Sequence, residues 1–396
     1  MFSATEAINW RLKSRLYFAD SAQNCTFVLQ NFYICTMRKL LGTTTLNLSI
    51  LALLVSIGIS SCKNNDRDLA TTKFKNGAFI INEGPYGNGT GTVSYLNKDN
   101  NQISPNVYGD ANASTLGNVV NSLNVRNNEA WVIVNNADVA RVVNLTDFEL
   151  QKSIGSFRFP RYMKDITSTK SYFTEWTDSP TASVVRVYDH QLTAFVKAIY
   201  LPNGAEEIAV VGNRAYVTCN GGFSNNDKLA IIDITKDSLI GLVSIGPNPD
   251  GIQVDANNHV WVLCSGQWNS NFTALTQPGK LVRYNTITAT IDRDIPTPSA
   301  FAQPQNLKIN GSKNQLYFNF DGAVHTMNVN ATALGGAVVN GYFYGLGIDP
   351  SNGDIYCCDA GNFASNGKLR RFTSAGVVKD SFTVGVIPSD VVFINQ

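Results

Sequence analysis

The chain has 396 residues, 44% of them hydrophobic and 15% charged, with a formal net charge of +1. That is ample for a large core, and it lacks the Lys/Arg excess that nucleic-acid binding requires. No nucleic-acid partner is expected.

Residues 1–36 resemble neither an export signal nor any later stretch. Met37 is followed by Arg38-Lys39, by a largely apolar run from Leu46 to Ile59, and by Ser60-Ser61-Cys62. A positive start, a short apolar core and small residues before a cysteine predict a lipoprotein signal peptide over 37–61, too short for a permanent span. Cys62 is then the lipidated first residue of the mature chain, as in a bacterial lipobox. On this reading residues 1–36 are an upstream mis-start, the alternative being a genuine extended N-region. Polar residues from Lys63 to Asp68 make 62–75 a flexible tether. The expected location is the outer membrane, held there by the lipid. A lysine followed by acids after the cysteine would direct it to the cell surface, but Asn64-Asn65 precede Asp66, so a periplasm-facing site stays open.

From residue 76 onward the pattern repeats. The clearest copy runs from Pro249 to Ile295. Its pieces 249–255, 260–264, 280–285 and 288–292 alternate or are rich in β-formers, and turn residues bound each. Four short antiparallel strands in so few residues match one β-propeller blade. The aromatic of the second strand recurs as Phe79, Trp131, Tyr172, Tyr216, Trp261, Tyr317 and Tyr356, at intervals of 52, 41, 44, 45, 56 and 39. A proline stands three residues before an apolar residue in Pro160/Met163, Pro249/Ile252, Pro304/Leu307 and Pro388/Val391. Two markers in phase predict an all-β fold over 76–396: a seven-bladed β-propeller of four-stranded antiparallel blades. A β-sandwich with chance spacing is the alternative. The Phe79 copy lacks a first strand and Ser389–Ile394 is a spare one, so the C-terminal strand is expected to close the ring, which would leave few open edges.

Seven cysteines occur, with no C-x-x-C pair to hold zinc. Cys219, Cys264, Cys357 and Cys358 lie on expected strands and read as buried free thiols, with disulfides the alternative. His190, His259 and His325 fall near turns of different copies, so no metal is expected.

Asn82-Glu83-Gly84-Pro85-Tyr86, the glycine-rich run to Gly91, and Thr92-Val93-Ser94-Tyr95 resemble the opening blade of the DUF5074 / YncE-like propeller lipoproteins of Bacteroidota. Trp131-Val132-Ile133-Val134-Asn135-Asn136 and Pro160-Arg161-Tyr162 fit the same pattern. Some members of that group are surface lipoproteins that capture cobamides (vitamin B12-type corrinoids) and pass them to an outer-membrane transporter. The resemblance implies a ligand-capturing protein with such partners and does not fix the ligand.

In a propeller the loops joining second to third strands share a face with the loops leading into each blade. Here they carry aromatics and amides, including Tyr86, Asn135, Arg161, Tyr162, Trp176, Phe223, Trp268, Phe272, Phe301, Tyr342, Tyr344 and Phe363. Exposed rings beside amide groups suit a flat ligand with a polar rim. The expected ligand-binding set is Tyr86, Asn135, Arg161, Tyr162, Trp176, Phe223, Trp268, Phe272 and Tyr342. The longest loop, 264–280, should wall the site. No Ser-His-Asp order and no paired base and nucleophile stand out, so a non-enzymatic, cofactor-free binder of a small or medium-sized ligand is expected. Two alternatives remain. Glu83, Asn135, Glu175, Asn220 and Asp359 could offer a calcium-dependent lactonase-like oxygen set. The same face could instead serve adhesion or a protein-interaction scaffold.

Overall fold

The computed structural model describes residues 73–396 except 88, 300 and 396. Stretch 1–36, the signal peptide expected over 37–61 and the expected lipid site Cys62 lie outside the described residues, as does most of the expected tether. The described residues belong to one unit, Ala70–Gln396. It is a β-propeller of four-stranded antiparallel blades.

Five separate four-stranded sheets follow one another along the chain. Their inner strands are Val120–Arg126, Pro160–Asp165, Ala205–Val211, Pro249–Val254 and Gln305–Ile309. Seven separate sheets were expected, and here the structure differs. Of the other ten strands among the described residues, eight form a single sheet. Its middle is the C-terminal strand Pro388–Asn395, which pairs antiparallel with Asn76–Asn82, setting Val392 opposite Phe79. On its other side it touches Gly345–Ile348 in parallel, through the single pair Leu346 and Asp390. That one pair fuses two four-stranded sets.

Burial falls off outward along each sheet. The second strand Val260–Cys264 is buried at every residue, because other sheets cover both its faces. The outer strand Ser238–Ser244 only alternates between half-buried and exposed. The recurring aromatics are all buried, from 0% exposure for Phe79, Trp131, Tyr172 and Trp261 to 6% for Tyr317. They pack between neighbouring sheets: Trp131 and Ile133 lie with Met163 and Phe173, and Tyr216 with Ile252 and Val262. Trp261 also donates its indole N–H to Asp255 (3.0 Å), whose other oxygen accepts the turn N–H groups of Asn257 and His259 (2.9 Å each). Cys219, Cys264, Cys357 and Cys358 are free and buried.

The two long intervals hold regular structure rather than plain loop. The first contains the helix Val107–Asn112, capped by the Asn106 side chain accepting the Gly109 N–H (3.1 Å). The second contains a short hairpin of Gln267–Trp268 and Leu275–Gln277. At the N-terminal side, Phe74 is fully buried against Phe79, Tyr95 and Phe148. Packing therefore starts before residue 76.

Deleting residues 388–395 should lower the melting temperature. The strand places Val391 in one apolar cluster and Ile394 in another. Losing both and baring an edge should cost roughly 5 °C or more in Tm by calorimetry. An unchanged Tm would contradict a structural role for this strand.

Candidate functional site

Six inner strands share one irregularity. In Val120–Arg126, Pro160–Asp165, Ala205–Val211, Pro249–Val254, Gln305–Ile309 and Pro388–Asn395 the register slips near the first residues. These are β-bulges, which bend a strand and re-aim its side chains. The residues inside the slips include Asn121, Arg161, Tyr162, Glu206, Glu207, Asp250, Asn306 and Ser389. All but Glu206 line one inner chamber of about 220 Å³.

The bulges also free carbonyls, and a neighbouring sheet satisfies them. Asn121 and Ser122 donate to the Arg161 carbonyl (2.7 and 2.6 Å), Thr174 to that of Glu206 (2.8 Å), and Thr218 to that of Asp250 (3.1 Å). Asn306 donates to the Tyr344 carbonyl (2.8 Å).

Carboxylates outnumber cations in and around this chamber. Glu83, Glu206, Glu207, Asp250 and Asp390 face Arg161 and Lys308. Arg161 forks onto Glu206 (2.6–3.0 Å) and lies 4.2 Å from the centre of the Trp176 ring, whose N–H also binds Glu206 (2.8 Å). Lys308 pairs with Asp390 (2.7 Å). Glu83 accepts from the Tyr344 hydroxyl (3.2 Å), Asp250 from Asn220 (3.2 Å), and Glu207 from the Ile252 N–H (3.0 Å). Burial raises the carboxyls of Glu83 and Asp250 above their ordinary range. It pushes Glu207 up to about 7, with Lys308 and the Ile252 N–H opposing. Burial raises Glu206 too, against the pull of Arg161.

Beside the chamber opens a larger cleft of about 640 Å³. Trp268 of the extra hairpin, Phe301, Tyr342, Tyr344 and Phe363 supply aromatic faces and edges. Asp321-Gly322 forms a two-residue turn with both φ positive (47° and 73°), the conformation that favours Asp-Gly in hairpins. A Cβ on Gly322 would come within 3.0 Å of the Tyr342 ring, so glycine lets that ring lie over the turn. Asn319 is only 8% exposed. Its amide N–H donates to the Phe343 carbonyl (2.8 Å), while its buried Oδ1 has no partner. Tyr344 and Gln305 border both cleft and chamber.

The expected residues divide among these places. Trp268 and Tyr342 line the cleft. Arg161 and Tyr162 line the chamber. Trp176 and Phe223 form a second aromatic group, ring centres 5.4 Å apart, with Phe159 equally close to Phe223. Tyr86 and Phe272 stand at loop tips, 81% and 76% exposed, and border neither cavity. Asn135 differs from its expected role: it is almost fully buried and donates to the Pro160 carbonyl (3.0 Å), bracing a neighbouring sheet. The five oxygen-ligand candidates do not converge. Besides Asn135, Glu175 accepts the Arg158 N–H (2.7 Å), Asn220 holds Asp250, and Asp359 pairs with Arg370 (2.7 Å). No group of three His, Cys, Asp or Glu among the described residues is arranged to hold a metal ion.

Asn319, Asp321, Glu207 and Lys308 were not foreseen. A signal for part of this existed. The proline marker belongs to a wider pattern of two largely polar residues between apolar ones: Val120-Asn121-Ser122-Leu123, Pro160-Arg161-Tyr162-Met163, Ala205-Glu206-Glu207-Ile208, Pro249-Asp250-Gly251-Ile252 and Pro304-Gln305-Asn306-Leu307. In each copy at least one of the middle pair lines the chamber.

Comparison with known proteins bears on the fold. The family model described as "Domain of unknown function (DUF5074)" matches residues 76–376. No curated protein matches the sequence. Among solved structures, a functionally unknown protein from Desulfotomaculum acetoxidans aligns with TM-score 0.59 at 12% identity, over 81% of this chain and 100% of that one. A quinonprotein alcohol dehydrogenase-like protein from Bacteroides thetaiotaomicron aligns with TM-score 0.58 at 12% identity, over 81% and 78%. Hydrazine synthase of Kuenenia stuttgartiensis gives TM-score 0.53 at 12% identity, over 68% and 92%. At such identity the likeness shows the fold alone.

The chamber predicts a pH effect. Glu207 titrates at about 7 when folded, against its ordinary 4.5. Between those values the folded state keeps a proton that the unfolded chain releases, so this group's effect is to lower stability as pH rises through that window. Glu207→Gln keeps the acceptor for Ile252. It should raise Tm at about pH 7.5 and flatten the Tm profile down to about pH 5. A profile parallel to wild type would rule out this origin.

Proposed function

The chain belongs to the DUF5074 family, and we propose that it is a non-enzymatic binding protein that captures a small or medium-sized ligand in the 640 Å³ cleft. We read the eight-stranded sheet as two blades, which makes a ring of seven closed by Pro388–Asn395. The cluster of Ala78 and Ile80 with Tyr356 and Leu369 across that sheet supports this count.

The observation that carries the binding reading is the cleft itself. Phe301 and Tyr342 are 72% and 86% exposed, yet they border the same hollow as Trp268 and Phe363. Large rings gathered around a concave surface with a few polar groups are the usual make-up of a ligand site. A corrinoid is the ligand the family resemblance brings forward. The cleft would hold one part of so large a molecule, leaving the rest for an outer-membrane transporter to grip. Cys62 would tether the protein to the outer membrane by its lipid, facing the surface or the periplasm.

Two outcomes test this. A thermal-shift screen of cobamides, haem, siderophores and glycans should yield a ligand that raises Tm. Trp268→Ala and Tyr342→Ala should then each weaken its binding about thirtyfold by calorimetry, the loss of roughly 2 kcal/mol expected for a central aromatic. Undiminished affinity in both folded variants would move the site, and turnover of the ligand would make the protein an enzyme. Separately, Cys62→Ala should release the protein from the membrane fraction or block its processing. A variant that stays membrane-bound and is processed as before would refute the anchor.

A further inference from the structure

Resting on the reading that the cleft is a capture site, we propose that it selects ligands bearing an organic cation, an ammonium with N–H groups seated among the aromatic rings over Asn319 and Asp321. The cleft lining contains no Lys, Arg or His among the described residues. It contains two carboxylates. Asp359 is neutralised by Arg370 (2.7 Å), whereas Asp321, at the tip of its turn, is exposed and has no ion-pair partner among the described residues.

The second observation is independent of charge. The Oδ1 of Asn319 is a buried acceptor with no donor, in a side chain already fixed by its other hydrogen bond. Because Asn319 borders the cleft, a ligand donor that reaches this oxygen would satisfy it. Tyr344 cannot supply that donor without giving up its bond to Glu83. A ligand N–H can. Around it, Trp268, Phe301, Tyr342 and Phe363 offer rings, and ring faces attract cations.

The wider field agrees. Past Tyr344 and Gln305 lies the chamber, where the acids Glu83, Asp250 and Asp390, with Glu207 part-protonated near neutral pH, meet only Arg161 and Lys308. A hollow lined by one excess sign concentrates the opposite one. A neutral ligand without a donor group would leave Asn319 unsatisfied, and an anionic ligand would face the same field as repulsion.

The test uses the full chain in detergent and three probes of similar shape: phenethylammonium, 2-phenylethanol and phenylacetate. Binding is read by ligand-observed NMR and by Trp fluorescence. Phenethylammonium should bind roughly tenfold tighter than the alcohol, with phenylacetate weakest, and added salt should shrink the preference. Asp321→Asn should remove most of the preference with Tm unchanged, and Asn319→Leu should weaken the ammonium more than the alcohol. Trp268→Ala should weaken all probes, which places them in the cleft. Equal binding of ammonium and alcohol, both sensitive to Trp268→Ala, would overturn the cation preference and leave the capture site standing. Binding of the ammonium that ignores Trp268→Ala and Asp321→Asn would overturn the proposal by placing it elsewhere. No binding of the ammonium at millimolar concentration would also overturn it, while the capture reading would still be judged by the ligand screen.

Discussion

The bulge at the head of the inner strands is the constraint on which the interior depends. A regular strand would send alternate side chains into the sheet packing on either side. The slip after Val120, Pro160, Ala205, Pro249, Gln305 and Pro388 instead turns polar residues toward the centre. It also breaks the ladder and strips carbonyls of their partners. An unpaired buried carbonyl costs about 1–3 kcal/mol, so the bulge survives only if another group replaces the lost donor. Asn121, Ser122, Thr174 and Thr218 do so across the gap between sheets. The same bonds thus satisfy the bulges and stitch consecutive sheets together at the chamber.

Apolar packing does the rest of the joining, and its gradient explains the sequence. Second strands are covered on both faces, so they are buried along almost their whole length and each holds an aromatic. Outer strands face water on one side and alternate. Free cysteines fit the buried strands as small apolar groups. Burial pushes Cys219 up to about 12, so its thiol stays protonated and inert at neutral pH.

This gradient also decides what was legible from sequence. The aromatics from Phe79 to Tyr356 and the prolines before Met163, Ile252, Leu307 and Val391 could be read, because local packing and local strand geometry dictate them. Pro160, Pro249 and Pro388 open strands, where a missing N–H does no harm. The fusion of eight strands into one sheet could not be read, since it hangs on a single pair, Leu346 and Asp390, far apart in the chain. The loop aromatics were visible as a class and not as a site. Trp176 and Phe223 belong to consecutive sheets and meet each other. Trp268, Phe301, Tyr342 and Phe363 come from loops of later sheets and gather at a different place. Periodicity marks the face and is silent about which loops touch.

Asn135 and Asn319 show why residue type alone misleads. Both are asparagines at the ends of second strands, both are nearly buried, and both donate to a carbonyl beside an inner strand (Pro160 and Phe343, at 3.0 and 2.8 Å). By that measure both are braces. They differ in the other half of the amide. The oxygen of Asn319 is buried without a donor, and it borders the cleft. The Arg161–Glu206–Trp176 group is the opposite case. Arg161 and Trp176 stood out in sequence as recognition residues, yet the fork onto Glu206 and the stacked indole satisfy one another. A closed network of that kind rigidifies its surroundings and leaves little for a ligand. Unused polar capacity beside exposed rings is the feature that suits a ligand, and the cleft over Asn319 has it.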